Sequence, residues 1–318
     1  MPKCTVIIPN YNHSQYLDQR INSILKQTFD DYEVIILDDA SSDNSRTIIE
    51  KYRNHPNVTE IIYNLKNSKS PFLQWKKGIE KAKGKWIWIA ESDDYAKTDF
   101  LETAFEAINK FPDIGIFYSD SHYDTNSGHA YRYNNSATFK NEFFKTQKWS
   151  EDYYLSGKDE LNFCLKFICT IINTSSTVIR KEKLLNIADE ITNFRYYGDW
   201  YAFVNIVFHS SIYYSSKPLN ICRMHHHNFL TGTNSIEGKK EYFKILNCII
   251  SFKSITNKNS LIAFFTREFI GFGLFHDGIK HGYIIFKSYF SINKTLTAKV
   301  FFFLLWQKLT LKKRNIIY

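Results

Sequence analysis

Two short stretches decide the fold: residues 4–12, CTVIIPNYN, and residues 34–43, VIILDDASSD. Each starts as an unbroken apolar run, which is typical of a strand buried on both faces, and each ends in polar residues. Between the two stretches, apolar residues recur at helical spacing and predict a helix over residues 14–28. Strand, helix and strand in this order predict a βαβ unit and a parallel sheet.

The same alternation continues outward from these stretches. It predicts an α/β fold with a mainly parallel sheet flanked by helices. Residues 120–160 are rich in Tyr, Asn and Ser and poorly periodic, so we expect a long ordered loop region with short elements that covers a site. Further strands are predicted at residues 58–63, 86–90, 114–118 and 176–179. Further helices are predicted over residues 72–83, 98–110 and 200–208, with one more that ends near residue 52 and one that begins at residue 181.

Composition excludes several classes of protein. The 318 residues are 44% apolar and 17% aromatic, with 12 Gly and 6 Pro, which excludes a disordered chain and a collagen-like fibre. Five cysteines without a CxxC pair argue against a disulfide framework and a structural zinc site. No apolar run reaches the roughly 18 residues that span a bilayer. The N-terminus lacks the apolar core of a signal peptide, so we expect a cytoplasmic protein.

The positive charge is concentrated in the last quarter of the chain. Residues 239–318 hold 12 Lys and 2 Arg against three acidic residues, whereas the preceding residues are slightly acidic although the whole chain carries +9. This distribution argues against a nucleic-acid partner for the chain as a whole. It indicates a basic, helical C-terminal appendage.

Within this appendage, residues 299–311 read KVFFFLLWQKLTL and are followed by two lysines and an arginine. A basic helix rich in aromatic residues is typical of segments that lie on an anionic membrane surface. The alternative is a helix that packs on the rest of the chain or in a homodimer interface, with its lysines in solvent.

Polar clusters follow three of the predicted strands. They are residues 9–12 (PNYN), the pair Asp38 and Asp39, and residues 91–94 (ESDD). Because ligands of open α/β sheets bind beyond the carboxyl ends of the strands, we expect these clusters to share one site. Adjacent carboxylates repel one another, and their oxygen atoms suit Mg²⁺ or Mn²⁺. The structural alternatives are an Asx turn at residues 38–39 and an acidic helix start at residues 91–94.

Several motifs are missing from the chain. No GxGxxG follows the first strand, no GxxxxGK[ST] occurs, and no GxSxG occurs. The sequence therefore disfavours a dinucleotide-binding fold, a P-loop enzyme and an α/β-hydrolase.

The motifs that are present resemble those of the family 2 glycosyltransferases of the GT-A fold, over roughly residues 3–230. The similar segments are residues 6–12 (VIIPNYN), 23–28 (SILKQT), 36–43 (ILDDASSD), 78–94 with its ESDD end, and 198–200 (GDW). The resemblance implies a donor half over about residues 1–120, an acceptor half over about 121–238, and a helical region at 239–318. The QxxRW motif of processive members is absent, which implies addition of a single sugar.

The resemblance also implies roles for individual residues. Pro9, Tyr11, Asp39 and Ser92 would contact the nucleotide, with Asp39 accepting a hydrogen bond from a uracil or thymine ring. Asp93 would bind Mn²⁺ or Mg²⁺ together with Glu91, which stands where the family usually has Asp. Asp199 would be the catalytic base, although an aspartate that opens a helical run is also a common N-cap. Further contacts to the diphosphate or metal would come from Arg223 and His225, or from Lys66 and Lys69 in place of an arginine found in some relatives. A solvated basic loop is the alternative for Arg223 and His225.

The predicted function is metal-dependent, inverting transfer of one sugar from a nucleotide-sugar donor, with a UDP-sugar favoured. The resemblance places this reaction in bacterial surface polysaccharide or lipid-linked glycan assembly, with a glycan or lipid-linked acceptor at the inner face of the membrane. The alternative from another class is an inactive scaffold that binds nucleotide or membrane. A nucleotidyltransferase is disfavoured, because it would need a Gly-rich loop where residues 9–12 read PNYN.

Overall fold

The computed structural model of the chain describes residues 1–124, 132–224, 235–270 and 279–314. Within these ranges nine strands form one sheet. Eight of them follow the order β3-β2-β1-β4-β8-β6-β9-β5, and the ninth, β7, lies outside this order and pairs with β9. The strands are β1 (Cys4–Asn10), β2 (Tyr32–Asp38), β3 (Val58–Tyr63), β4 (Trp86–Ile89), β5 (Tyr95–Ala96), β6 (Ile114–Asp124), β7 (Tyr153–Ser156), β8 (Thr177–Arg180) and β9 (Ser211–Arg223).

Helices cover both faces of this sheet. Short 3-10 turns occupy Lys148–Ser150 and Thr174–Ser176, and π-helical turns occupy Leu161–Leu165 and Thr266–Ile270. The α-helices are α1 (Ser14–Leu25), α2 (Ser45–Glu50), α3 (Pro71–Lys81), α4 (Phe100–Lys110), α5 (Ser136–Phe144), α6 (Gly157–Glu160), α7 (Lys181–Leu185), α8 (Ala188–Ile191), α9 (Gly198–Phe208), α10 (Ile236–Ser251), α11 (Lys258–Phe265), α12 (Ile279–Ile292) and α13 (Lys294–Arg314).

The first half of the sheet is parallel, as predicted. Strands β3, β2, β1 and β4 pair side by side, with Asn10 opposite Asp38 and Ile7 opposite Ile89. This register ends β1, β2 and β4 at the same edge, so the three polar clusters follow one another along that edge. The α/β class predicted from the sequence is confirmed.

The second half of the sheet is mixed. Strand β8 runs antiparallel to both β4 and β6, whereas β6 and β9 are parallel and β9 also takes β5 and β7 as antiparallel neighbours. The described part of residues 120–160 holds short elements, as expected, among them α5 and β7. Strand β6 continues to Asp124, beyond its predicted end at residue 118, and β9 was not predicted. The register of β6 against β9 shifts where Asp120 faces Pro218, a residue without an N–H to donate, so neither segment has the simple alternation of a regular strand.

Two apolar cores sandwich the sheet. Alternate residues of β1 point to opposite cores: Val6 and Ile8 lie with α1 and α4, and Ile7 lies with α3 and α9. The core that contains Ile7 also includes residues of the C-terminal helices. There Trp200 of α9 stacks on Phe265, with ring centroids 5.7 Å apart. The described helices beyond residue 239 thus share this core with α9; the boundary at residue 238 stays a prediction.

The described helices include no candidate membrane span. None combines the length and the apolar character that crossing a bilayer requires. This holds for α13 as well, although it is 21 residues long.

Candidate active site

The loops after β1 and β2 are tied together by Asp38. Its buried carboxylate accepts hydrogen bonds from Asn10 Nδ2 at 2.8 Å and from the Ser41 backbone N–H at 3.1 Å. The Asp39 N–H donates in turn to the Asn10 carbonyl at 2.9 Å. Asp38 therefore fixes the shape of the edge and faces the protein.

Asp39 is the centre of a second network. Its carboxylate accepts from Asn64 Nδ2 at 2.6 Å, from Gln74 Nε2 at 3.0 Å, and from both the backbone N–H and the hydroxyl of Ser68 at 2.7–3.0 Å. The backbone beside it is strained, because Ala40 has φ 61°. Both carboxylate oxygens are thus already engaged, so a hydrogen bond to a nucleotide base would replace one of these contacts.

The other predicted nucleotide contacts differ in accessibility. Tyr11 is 46% exposed and presents its ring at the mouth of the edge. Pro9 is buried within β1, which leaves its ring inside the sheet. Lys66 and Lys69 are both exposed, and Lys69 has φ 60°. Tyr11 is therefore the better placed of the two residues predicted to flank the base.

The acidic turn, residues 91–94, lies beside these loops. Glu91 Oε1 accepts a hydrogen bond from the indole N–H of Trp75 at 2.8 Å, and Ser92 Oγ shares one with His13 Nδ1 at 2.8 Å. Burial and the charge of Asp93 raise the pKa of Glu91 to about 8. Ser92 is buried, so it connects the acidic turn to the start of α1.

Asp94 is the most enclosed carboxylate of the acidic turn. It accepts from Asn173 Nδ2 at 2.8 Å and from the Arg223 backbone N–H at 3.1 Å. Burial and Asp93 raise its pKa to about 6. Asp93 itself is only partly buried. The geometry thus turns Asp94 towards the protein and leaves Asp93 partly accessible to solvent.

The acidic turn fits a hard divalent cation. In the described ranges no three His, Cys, Asp or Glu side chains converge as a complete metal site. The pKa values of Glu91 and Asp94 are nevertheless raised in part by the negative charge of Asp93, which a bound cation would compensate. Oxygen donors of this kind suit Mg²⁺ or Mn²⁺, which are often held by one or two carboxylates together with phosphate oxygens of a substrate.

Arg20 lies beneath the acidic turn. Its side chain is fully buried in α1, its guanidinium sits 5.1 Å from the centroid of the Trp88 ring, and none of its three side-chain nitrogens has a hydrogen-bond partner among the described residues. Burial lowers its pKa to about 10, against the opposing charges of the acidic turn. Arg20 thus supplies a fixed positive charge behind the three carboxylates.

Arg223 braces the same turn from β9. Its guanidinium lies 4.9 Å from the Tyr16 ring and 4.5 Å from the Tyr95 ring, and it donates to the Asp93 carbonyl at 2.6 Å. Its contact with a diphosphate stays a prediction. His225, predicted to act beside it, lies outside the described residues.

Asp199 lies in the first turn of α9. Its carboxylate accepts from the adjacent Trp200 N–H at 2.7 Å, whereas Tyr197 is the residue at the N-cap position. Burial is the main cause that raises the pKa of Asp199 to about 6. A carboxylate with this pKa is ionised at neutral pH and still basic enough for proton transfer.

Helix α3 connects Asp199 to the acidic turn. Gly198 packs so closely on the Phe72 ring that a Cβ atom would lie 2.8 Å from it. Phe72 meets Trp75 edge-on at 5.1 Å, and Trp75 bonds to Glu91. This chain of contacts links the segment of the predicted base to the acidic turn through α3.

Several supporting residues were not singled out from the sequence. Arg20 had a visible signal, because it interrupts the apolar face formed by Leu17, Ile21 and Ile24. The remaining residues lack such a signal, because their partners lie far away along the chain. They are His13, Asn64, Ser68, Gln74, Trp75, Asn173, Ser175 and Glu241.

Comparison with known proteins shows which family the chain is similar to. The motifs over residues 3–230 resemble those of the family 2 glycosyltransferases. The family model described as Glycosyl transferase family 2 matches residues 5–185. The glycosyltransferase GlyG of Streptococcus pneumoniae serotype 4 is 35% identical over 133 residues, which are 41% of this chain and 42% of GlyG. The poly(ribitol-phosphate) beta-N-acetylglucosaminyltransferase TarS of Staphylococcus aureus is 34% identical over 112 residues, which are 35% of this chain and 19% of TarS. The matched segments thus span less than half of either relative.

Solved structures show the same fold. The crystal structure of S. aureus TarS 1–349 superposes with a TM-score of 0.66 at 16% identity, over 93% of this chain and 83% of that one. The same fragment in complex with UDP gives a TM-score of 0.61 at 19% identity, over 86% and 72% of the two chains. The mannosyltransferase PcManGT of Pyrobaculum calidifontis, in complex with GDP-Man and Mn²⁺, gives 0.56 at 12% identity, over 97% and 88%. The shared architecture is the GT-A fold.

The family model covers more than half of the chain and includes β1, β2, β4 and the acidic turn. Asp199 and the C-terminal helices lie beyond it. With its motifs in order along one sheet edge and its fold shared with TarS, the chain belongs to glycosyl transferase family 2.

Proposed function

We propose that the protein transfers one sugar from a UDP-sugar to an acceptor hydroxyl, with inversion at the anomeric carbon. The observation that carries this proposal is the pairing of two features across α3. Asp199 has a pKa of about 6 in a partly buried position, and Glu91 and Asp93 stand at the end of β4.

In this mechanism Asp93, with Glu91 beside it, would hold Mn²⁺ or Mg²⁺, which neutralises a diphosphate leaving group. Asp199 accepts the proton of the acceptor hydroxyl, and its pKa of about 6 keeps it mostly ionised at neutral pH. A single displacement by that hydroxyl inverts the anomeric centre without a covalent intermediate. Tyr11 provides an exposed ring on which the base can stack.

The choice of UDP is supported by TarS, whose crystal structures are described in complex with UDP and with UDP-GlcNAc. The complex of PcManGT with GDP-Man shows that the same fold also holds a guanine nucleotide. In this chain Asp39 would contact the base, because a carboxylate can accept a hydrogen bond from the imide N–H of uracil.

The cellular setting is proposed from the relatives. TarS is described as a poly(ribitol-phosphate) beta-N-acetylglucosaminyltransferase, which supports a role in assembling a bacterial surface glycan. The acceptor would then be a glycan or a lipid-linked glycan. We place the enzyme in the cytoplasm, on the inner face of the membrane.

Helices α12 and α13 supply the features that support this placement. Residues 279–314 contain eight Lys or Arg and no Asp or Glu. Lys294 lies over the ring of Phe290 at 5.3 Å. Exposed apolar side chains next to cations suit the interface of an anionic bilayer. The exposed apolar residues are Tyr283, Ile284, Phe286, Phe290, Phe302 and Leu305.

Sedimentation with vesicles tests the membrane proposal. We expect the protein to pellet with phosphatidylglycerol vesicles and to stay in solution with phosphatidylcholine, and the variant F290S/F302S to lose the pelleting. Equal sedimentation of parent and variant would contradict the proposal. The molar mass in solution, measured by light scattering, would then show whether these helices pair two copies of the chain instead.

Thermal denaturation with nucleotides tests the donor site. UDP at about 100 times its Kd should stabilise the fold by roughly 2.7 kcal/mol, provided Mn²⁺ is present. Stabilisation by GDP alone would keep the class of enzyme and overturn the choice of uracil. Binding of UDP without any release of UDP from UDP-sugars, in parent and D199N alike, would favour the inactive scaffold.

A further inference from the structure

The segment that precedes α9 is held by a carboxylate from the C-terminal region. Glu241 of α10 has no exposed surface, and its two carboxylate oxygens accept three backbone hydrogen bonds. Arg195 N–H donates at 2.6 Å to Oε1, and the N–H groups of Tyr196 and Tyr197 each donate at 3.0 Å to Oε2. These donors end two residues before Asp199.

Neighbouring contacts fix α10 in the same place. Tyr242 donates from its hydroxyl to Tyr197 Oη at 2.7 Å, and the two rings stack at 4.3 Å. Lys244 donates from Nζ to the Asn193 carbonyl at 3.1 Å. Together these contacts extend the grip of α10 over residues 193–197.

Helix α10 is itself anchored from the other side. Tyr289 of α12 donates from its hydroxyl to the Lys239 carbonyl at 3.0 Å, and its ring stacks on Phe243 at 4.1 Å. The start of α9 is therefore connected through α10 to α12, across a part of the chain that the family model does not include.

We infer that Glu241 is a positioning residue for the catalytic base: it fixes the turn at residues 195–197 and so sets the position of the Asp199 carboxylate at the start of α9. This inference rests on the proposed function for the role of Asp199. It makes the C-terminal region part of the catalytic apparatus, besides any contact it makes with a membrane.

The chemistry of the anchor supports this role over general stabilisation. A buried carboxylate loses its hydration, and burial raises the pKa of Glu241 although the three N–H groups oppose the rise. An apolar contact would hold α10 against α9 without that cost. Three convergent hydrogen bonds instead fix the orientation of consecutive peptide groups, which an apolar contact does not. The residue type therefore suits accurate placement.

Hydrogen exchange tests the anchor without depending on activity. In E241Q one oxygen becomes an NH₂ group that faces N–H donors, so amides 195–197 and the Trp200 amide that bonds Asp199 should exchange at least about tenfold faster. E241D keeps both oxygens on a shorter arm and should restore much of the protection. E237Q, at an exposed position on the same helix, is the matched control and should leave exchange unchanged.

Release of UDP from UDP-GlcNAc and UDP-glucose, with Mn²⁺, tests the consequence for catalysis. E241Q should lower kcat by about 30–100-fold, as expected for a base displaced by about 1 Å, and leave KM for the donor within about twofold. E241D should have a kcat between those of E241Q and the parent, and E237Q should keep the parental kcat.

The pH profile gives a readout that a purely structural role would not move. The titratable groups that face Asp199 are Cys169, Tyr197 and Glu241, and of these the charge of Glu241 raises the pKa of Asp199. In E241Q this charge is gone, so the acidic limb of the kcat profile should shift to lower pH.

The outcomes separate this inference from the proposed function. If the parent releases UDP and E241Q matches it in kcat, pH limb and exchange of residues 195–200, Glu241 does not position the base. If E241Q loses exchange protection throughout the chain and E241D does not restore it, the role is structural and the inference is overturned. If neither UDP nor GDP stabilises the parent in the presence of Mn²⁺, the proposed function fails, whereas the exchange comparison still decides whether Glu241 holds the Asp199 turn.

Discussion

Replacing Asp199 by asparagine should stop transfer and stabilise the fold at the same time. Asn keeps the size of the side chain and an oxygen that can accept from the Trp200 N–H, but it cannot take a proton. Removing a general base typically costs about 10²–10⁴-fold in rate. The gain in stability arises because the partly buried carboxylate no longer carries a charge.

The size of that gain follows from the pKa. Burial moves the pKa of Asp199 from its ordinary value of 3.8 to about 6, which corresponds to at most roughly 3 kcal/mol at neutral pH. Because the folded-state pKa is the higher one, the cost is absent below pH 3.8 and grows as the pH rises through 6. Since solvent reaches part of the side chain, we expect D199N to gain about 1–3 kcal/mol at pH 7, or about 2–6 °C in Tm.

Thermal denaturation at pH 4.5 and pH 7, with UDP release measured on the same samples, checks both effects. The stabilising effect of D199N should shrink sharply at the lower pH. D189N is the matched control: it makes the same change in the first turn of α8, where the carboxylate is 82% exposed, and should alter Tm little. A D199N protein that is no more stable than the parent at pH 7, or that releases UDP at the parental rate, would refute the reasoning.

Three further substitutions test the rest of the site. D93N should abolish the part of the UDP-induced rise in Tm that depends on Mn²⁺; an unchanged rise would place the metal elsewhere. D39N replaces one acceptor oxygen with an NH₂ group that faces the Ser68 donors, so the free energy of unfolding in chemical denaturation should fall by about 2–3 kcal/mol and UDP should bind more weakly. Full UDP affinity in a folded D39N protein would show that Asp39 does not contact the base. G198A pushes a Cβ to 2.8 Å from the Phe72 ring, so it should cost about 1–3 kcal/mol and lower kcat, and a variant with parental Tm and kcat would show that the packing there is not tight.

The fold could be predicted where the sequence is locally consistent. Strands β1 to β4 are short apolar runs separated by helical periodicity, and each was placed within a few residues. Strand β9 was not predicted from the sequence, because its residues SIYYSSKPLNICR mix polar and apolar side chains around Pro218. Its strand conformation depends on β6, β5 and β7 as partners, which local sequence does not reveal.

The candidate site divides in the same way. The acidic turn and the Asp38–Asp39 pair were recognisable, because ligands of open α/β sheets bind beyond the carboxyl ends of the strands, where these carboxylates lie. The partners that shape them were not: Asp39 meets Gln74 35 positions away, and Ser92 meets His13 79 positions away. Such pairs arise only when the chain has folded.

The sequence alone determined the α/β class, the edge of the sheet that carries the chemistry, and the carboxylates themselves, because these depend on patterns within a few residues of one another. Tertiary structure decided how each carboxylate is used. It tied Asp39 to Ser68, set the pKa of Asp199 by burial, and brought Glu241 of the C-terminal region to the turn before α9. Burial and hydrogen-bond partners belong to the packed molecule, and they determine whether an aspartate is a ligand, a brace or a base.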